Sequence, residues 1–420
     1  MVIVDDLRAL NGPQRAAFAA SLAGWALDAF DYFLLVFVLK DIARDFHADI
    51  AVANSAIFLT LIARPVGALV FGWLADRYGR RPMLMLVVGL YSVLAVTSAF
   101  SPTMLFLLVL RTLFGFAMGG VWGIGASLAL ETIPAKSRGV VSGILQEGYP
   151  LGYFLAAIAN LFVPAIGWRG MLALGALPAL LIVFIQRSVR ESPAWEAAKA
   201  ATIATPTRRP GLFQSLKGHW GRLAYAVLLM TCFNFFSHGT QDLYPQFLQV
   251  EHKYSAAIVS VLTICLNLGA MLGGVIFGPL SEKIGRRRAI ALASVLALPV
   301  IPLWAFSNTP LLLAAGAFLI QVAVQGAWGA VPAHLNELSP EGARGTFPGF
   351  AYQLGNLFAA VNITLQTMLV KSHHNDYGFA LAVVCGVVAV VLAVVAWFGP
   401  EAKGAVFGAP EPATGPVSPP

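Results

Sequence analysis

The chain has 420 residues, of which 58% are hydrophobic and 11% charged, and its mean hydropathy is +0.76. A soluble domain carries roughly 25% charged residues, so most of this surface faces something other than water. The net charge of +7 would suit a nucleic-acid partner, but the basic residues sit in short loops between apolar segments, which excludes that class and fits the positive-inside pattern of membrane proteins. Cys232, Cys265 and Cys385 lie in apolar segments without metal-ligand spacing, so no disulfide framework, metal or other cofactor is expected.

The first residues, MVIVDDLRALNGPQRAAF, are too polar for a cleavable leader, which makes the first apolar segment a retained helix. Apolar runs then predict twelve spans. They are α1 at 17–39, α2 at 52–74, α3 at 83–101, α4 at 104–129, α5 at 139–163 and α6 at 169–187. After a polar loop, α7 follows at 222–246, α8 at 256–279, α9 at 289–307, α10 at 310–335, α11 at 345–370 and α12 at 377–398. The expected fold class is therefore an all-α integral membrane protein with twelve transmembrane helices. It divides into a six-helix bundle at 1–187, an inter-bundle loop at 188–221, a second bundle at 222–400 and a tail at 401–420. The tail is rich in Pro, Ala and Gly, has no apolar period and is expected to be disordered.

If both termini are cytoplasmic, most of the 27 Lys and Arg fall inside, and only Lys40, Arg44, Arg169, Lys253 and Lys371 fall outside. That asymmetry selects the orientation and suits a bacterial inner membrane. An internal repeat is equally plain. GWLADRYGRR at 72–81 returns as GPLSEKIGRR at 278–287, an offset of 206 that also relates Trp122 to Trp328, Glu131 to Glu337, Pro134 to Pro340 and Arg138 to Arg344. Separated segments sharing one offset describe two pseudo-symmetric six-helix bundles in parallel orientation, an arrangement used by secondary transporters.

GWLADRYGRR resembles the signature loop of the major facilitator superfamily, and its second copy stands where that family repeats it. The physics of the loop is readable directly. Gly72 permits close helix contact, Asp76 caps or pairs at a helix end, and Arg80 and Arg81 are expected to anchor in the anionic leaflet. The resemblance implies a conformational latch rather than a substrate site. Its members here are Gly72, Asp76, Arg80, Glu282 and Arg286, with Glu131, Arg138, Glu337 and Arg344 flanking the α4–α5 and α10–α11 loops as a gate. Arg111 resembles the α4 arginine of the same superfamily, and structural and coupling roles are both open to it.

A finer resemblance lies in α7, where NFFSHGTQD at 234–242 is similar to the signature of the lactate and pyruvate permease branch of the sialate:proton symporter family. Asn234, Ser237, His238, Thr240, Gln241 and Asp242 match it, and Gln246 stands where that pattern ends on Thr. GWALDAFDYF in α1, Arg64 in α2, and Gln353 and Asn356 in α11 resemble the same branch. The resemblance implies proton-coupled symport of a short monocarboxylate. Sialic-acid members usually carry two further helices and lack the α7 motif, so a sialic acid or another organic anion is the alternative substrate. Monomer is the expectation for this superfamily.

The residues themselves point the same way. A charge at mid-span costs about 2.5–3.5 kcal/mol on insertion scales, so each must face water or a partner. Arg64 lies twelve residues before Asp76, roughly 18 Å above the loop end, and its mate by offset is the neutral Ala270. A guanidinium used in one half suits an asymmetric anion; the alternative is a structural partner for Asp28 or Asp31. Asp28 and Asp31, three residues apart in α1, are candidates to load and release a proton. Asn234, His238 and Asp242 run i, i+4, i+8 along α7 as a polar stripe with Ser237 and Gln241 between them, either a cavity wall or packing. Glu147 in α5, whose mate is Gln353, is a further proton carrier or a salt-bridge partner for Arg64 or Arg111. Tyr149, Tyr352 and Trp122 could hydrogen-bond a substrate oxygen. No nucleophile elbow, zinc motif or nucleotide-binding loop appears, which disfavours an enzyme or an ATP-driven pump. The intramembrane charges form no repeated ring of the kind a channel filter uses.

Overall fold

The computed structural model describes residues 2–204 and 216–407, and among these there is no β-strand. The twelve expected spans take these bounds: α1 Gly12–Asp45, α2 Ile50–Tyr78, α3 Arg80–Ala99, α4 Met104–Thr132 and α6 Val163–Ser188. In the second half they are α7 Trp220–Gln241, α8 Ala256–Ile284, α9 Arg286–Ala305, α10 Pro310–Leu338 and α12 Tyr377–Phe398. Several spans are interrupted: α5 runs as Arg138–Gln146 and Gly148–Asn160, α11 as Phe347–Ala359 and Asn362–Ser372, α4 breaks after Met118 and α10 after Gly329, and α6 and α9 pass through 3-10 turns. Nine of the described helices are long and apolar enough to cross a bilayer unaided. The other three expected spans are α5, α7 and α11, the last two carrying the polar residues of the candidate site.

Local chemistry sets the ends. The α1 helix starts five residues earlier than expected because Asn11 and Gln14 form a reciprocal capping box, with Asn11 Oδ1 accepting from Gln14 N at 3.0 Å and Gln14 Oε1 from Asn11 N at 2.9 Å. The turns from α2 to α3 and from α8 to α9 hinge on Gly79 and Gly285, at φ 113° and 98°, where any other residue would be strained. Two elements were not expected: a short helix at Val2–Ala9, and Pro193–Ala204 within the inter-bundle loop, of which 205–215 lie outside the described residues. The tail also departs from expectation. Residues 401–407 are anchored by the hydrogen bonds and ring contacts described below, while 408–420 lie outside the described residues.

The halves meet along α2 with α11 and along α5 with α8. Small residues let the backbones touch: a Cβ on Gly72 would stand 2.6 Å from Thr346 Cα, and one on Gly123 2.7 Å from Gly349 Cα. Hydrogen bonds then cross between the halves. Ser127 Oγ shares its one proton between Arg344 O at 2.6 Å and Asn336 Oδ1 at 2.9 Å, and Ser142 Oγ donates to Gly329 O at 2.7 Å while accepting from Ala333 N at 3.0 Å. These bonds gather at the end that carries the two signature turns.

Candidate functional site

Beyond that bolted end, six rings from both halves pack into a floor. Trp122 of α4 meets Tyr352 of α11 at 4.8 Å between centroids, and Tyr352 stands edge-on to Trp328 of α10 at 5.8 Å. Trp25 of α1 packs against Tyr149 of α5 at 5.6 Å and edge-on against Tyr352 at 6.2 Å. Phe233 of α7 closes the set against Trp328 at 5.1 Å. Edge and tilted geometries of this kind suit the ring quadrupoles. The pseudo-symmetric Trp122 and Trp328 thus both land at the centre.

Arg64 stands beside this floor and is only 5% exposed. Its Nη2 lies 3.9 Å from Asp28 Oδ2, too far for a hydrogen bond. The guanidinium sits 5.3 Å from the Tyr32 ring and touches Met118 sulfur at 3.4 Å, and its Nε has no partner. Arg64 is close enough to bear electrostatically on Tyr149 and Tyr352, and Asp242 on Tyr32 and Tyr149. A guanidinium held by one distant carboxylate retains donors for a second.

The α7 stripe forms the facing wall. His238 Nδ1 lies 3.2 Å from Asp242 Oδ1 and Nε2 3.3 Å from Asn356 Oδ1, and the His238 and Asp242 side chains stay 38% and 31% exposed. These two lie towards the end of the bundle opposite the bolted one. Ser237 Oγ accepts from Trp328 Nε1 at 2.7 Å. Asn234 turns back to its own helix, donating to Met230 O at 2.7 Å, so its amide nitrogen is spent on α7 itself. Gln241 donates to Gln321 Oε1 at 3.1 Å, and Gln321 to Thr240 Oγ1 at 3.0 Å. Gln366 donates to Gly239 O at 2.7 Å and accepts from Asn362 at 3.2 Å. Sequence reasoning passed over Gln321, Asn362 and Gln366, although a buried amide inside an apolar span carried the same signal as the charges. Gln353 is buried with an unpartnered Oε1.

Other expected site residues are placed elsewhere. Asp31 does not join Arg64. Both its oxygens are unpartnered in the interior of the first bundle, within the field of Arg111, whose guanidinium stacks 4.6 Å from Phe114. Glu147 pairs with neither Arg64 nor Arg111. It stands at the break in α5 with its carboxyl pressed against Gly274 of α8, in the seam between the halves.

The latch residues form two matching clusters. Arg80 pairs with Asp76 and Glu131, both at 3.0 Å, and Arg286 pairs with Glu282 at 2.7 Å and Glu337 at 2.9 Å. Asp76 also crosses to the other half, accepting from Gly345 N at 2.6 Å and from Thr346 N and Oγ1. Glu282 crosses in return to Gly139 N at 2.7 Å, and Arg138 reaches Glu337 at 3.7 Å. The expected leaflet anchoring of Arg80 is therefore corrected: two carboxylates neutralise it and keep it buried. Arg81 instead donates to Gln186 O. The clusters have members the repeat offset hid. Glu191 accepts from Arg80 N at 3.0 Å and from Arg81 N, capping α3, and Glu401 accepts from Arg287 N at 3.1 Å, capping α9. Burial holds the Glu191 carboxyl above the ordinary glutamate range despite its backbone donors. Ser192 hydrogen-bonds Glu131. Finally, Arg138 donates to Ala405 O at 2.7 Å, and Phe407 lies between the guanidinium groups of Arg138 and Arg344, at 3.5 and 4.5 Å.

Comparison with known proteins agrees with this architecture. The chain is 30% identical over 407 residues to a probable 4-methylmuconolactone transporter of Cupriavidus pinatubonensis, covering 93% of this chain and 91% of that one. It is 28% identical to the sialic acid transporter NanX of Escherichia coli, over 82% of this chain and 85% of that one. It is 26% identical to a carboxylic acid transporter protein homolog of Saccharomyces cerevisiae, over 91% of this chain and 67% of that one. Among solved structures, the proton:xylose symporter XylE superposes with a TM-score of 0.74 at 19% identity, over 94% of this chain and 98% of that one. The family model described as Major Facilitator Superfamily matches residues 22–241 and again 227–419, one match per half; with the two bundles, paired latches and central site, this places the chain in the major facilitator superfamily of membrane transporters.

Proposed function

We propose that the protein is a proton-coupled symporter of a small monocarboxylate, with Arg64 as the ligand of the carboxylate. The observation that carries this reading is Arg64 itself: a buried guanidinium beside the aromatic floor, 3.9 Å from its nearest carboxylate and with an unpartnered Nε. A monoanion entering with one proton moves no net charge, so a pH gradient can drive it. The α7 resemblance puts lactate and pyruvate forward as substrates. Sialic acid is the second reading, favoured by the similarity to NanX. Asp28, Asp31, Glu147 and the His238–Asp242 pair are the proton-carrying candidates. Asn356, Gln241, Gln353 and Tyr352 complete the site, and Asn234 supports it from within α7.

In this reading the signature-loop end is cytoplasmic, with both termini inside an inner membrane, and the structure is the outward-facing state of a monomer working by alternating access. The test is uptake of radiolabelled lactate and pyruvate into proteoliposomes under an inward proton gradient. Gradient-driven uptake that a protonophore abolishes, and that Arg64→Ala loses, is the expected result. Folded wild-type protein that takes up no organic anion would overturn it.

A further inference from the structure

Resting on the reading of a monocarboxylate held by Arg64, we infer that the site fits a flat, conjugated ring carboxylate of about benzoate size, with a hydrogen-bond acceptor on the ring, better than it fits a short aliphatic acid or a sugar acid. The floor beside Arg64 is built of aromatic rings. Trp25, Trp122, Tyr149 and Tyr352 come from four helices and both halves, with centroids 4.8 to 6.4 Å apart. Above them the half-buried Phe33 stands edge-on to Tyr149 at 5.4 Å and to Tyr153 at 4.7 Å, continuing the ring surface upward. A three-carbon acid held on Arg64 would cover one of these rings at most. A planar ring on the same carboxylate can stack on one and meet the edges of others.

The polar groups narrow the class further. The amides on and around α7 bond largely to one another, Gln241 to Gln321 and Gln321 to Thr240 on one side and Asn362 to Gln366 on the other, which leaves Asn362 Oδ1 and Gln353 Oε1 as buried acceptors without a partner. A substrate with many hydroxyls would find only these two unspent acceptors among the amides. Two donors in the floor are unspent: the indole N–H groups of Trp25 and Trp122 are buried and without a partner, whereas that of Trp328 is taken by Ser237. A buried donor left unmatched is costly. One acceptor on the far side of a ring acid, a hydroxyl, carbonyl or ring nitrogen, would satisfy a donor that lactate cannot reach.

The test compares dissociation constants by titration calorimetry, using the full chain in nanodiscs. The ligands are benzoate, cyclohexanecarboxylate, 4-hydroxybenzoate and lactate. The first two carry the same carboxylate on rings of equal carbon number and differ in planarity and π character. Benzoate is expected to bind roughly threefold to tenfold tighter than cyclohexanecarboxylate, 4-hydroxybenzoate tighter again, and lactate most weakly. Trp122→Leu should erase the preference for the flat ring and Trp122→Phe should keep it. Equal constants for the two ring acids, or lactate binding tightest, would overturn the inference and leave the monocarboxylate reading standing. Binding of all four acids unaffected by Arg64→Ala, or no binding by folded protein, would overturn that reading as well.

Discussion

Arg64 is where charge, burial and asymmetry coincide. Because its second-half mate is Ala270, no repeat constraint explains the guanidinium, and its planar fork matches a carboxylate in a way an ammonium cannot. Arg64→Lys should keep the charge and lose the two-point geometry, raising KM for the transported acid by about tenfold with folding intact by size-exclusion chromatography. Uptake kinetics with unchanged KM would remove Arg64 from the anion site. Glu147 offers a contrasting case. Its carboxyl packs in the seam against Gly274 with no hydrogen bond or ion pair among the described residues. A carboxylate is poorly accommodated there and a neutral carboxyl is tolerated. Glu147→Gln should therefore leave the seam closed and flatten the pH profile of uptake between pH 5 and 8. A profile identical to wild type would exclude Glu147 from proton coupling and leave Asp28, Asp31 and His238 to carry it.

At the scale of elements, the latch clusters act as helix-end devices. Arg286 is fully buried between Glu282 and Glu337, so removing its charge leaves Glu282 without a cationic partner and Glu337 with only Arg138, at 3.7 Å. Arg286→Ala should destabilise the fold by about 3–5 kcal/mol, read as a fall in the thermal unfolding midpoint of purified protein; a midpoint within a degree of wild type would contradict this. The segment after α12 ties the same region together, since Phe407 contacts Arg138 of one half and Arg344 of the other. Phe407→Ala forfeits two cation–π contacts of about 0.5 kcal/mol each and should shift the equilibrium away from this closed arrangement. The measurement is the alkylation rate of a cysteine placed at the buried Ala343, expected to rise about fivefold. An unchanged rate would reduce the segment to a passive tail.

For the whole molecule, the bonds join the halves at one end, and the accessible His238–Asp242 pair lies towards the other. The proposed alternating access requires Ser127 to part from Asn336 and Asp76 from Gly345 and Thr346 in every cycle. Joining Ser127→Cys to Asn336→Cys by an oxidant should arrest uptake, and a reductant should restore it. Uptake that persists in fully cross-linked protein would show that the halves need not separate here, against alternating access.

The sequence alone determined the helical fold class, the two-fold repeat and most of the charged residues that cluster at the signature turns, because hydropathy runs and a fixed offset are properties of the chain in one dimension. It also singled out Arg64, since a charge inside an apolar span stands out wherever it points. It could not say which polar residues share a surface. Asp28 and Asp31 are three positions apart, yet packing turns one towards Arg64 and the other into the field of Arg111. Glu191 and Glu401 follow α6 and α12 at an offset of 210 rather than 206, so repeat arithmetic missed them until the fold set each carboxylate on a helix end. The aromatic floor is the clearest case. Its rings are scattered from Trp25 to Tyr352; Trp122, Tyr149 and Tyr352 stand out singly as possible hydrogen-bond partners, but only the closure of both bundles at one end brings the six together. Tertiary structure decided these matters because a contact between helices depends on rotation and tilt, which no local pattern encodes.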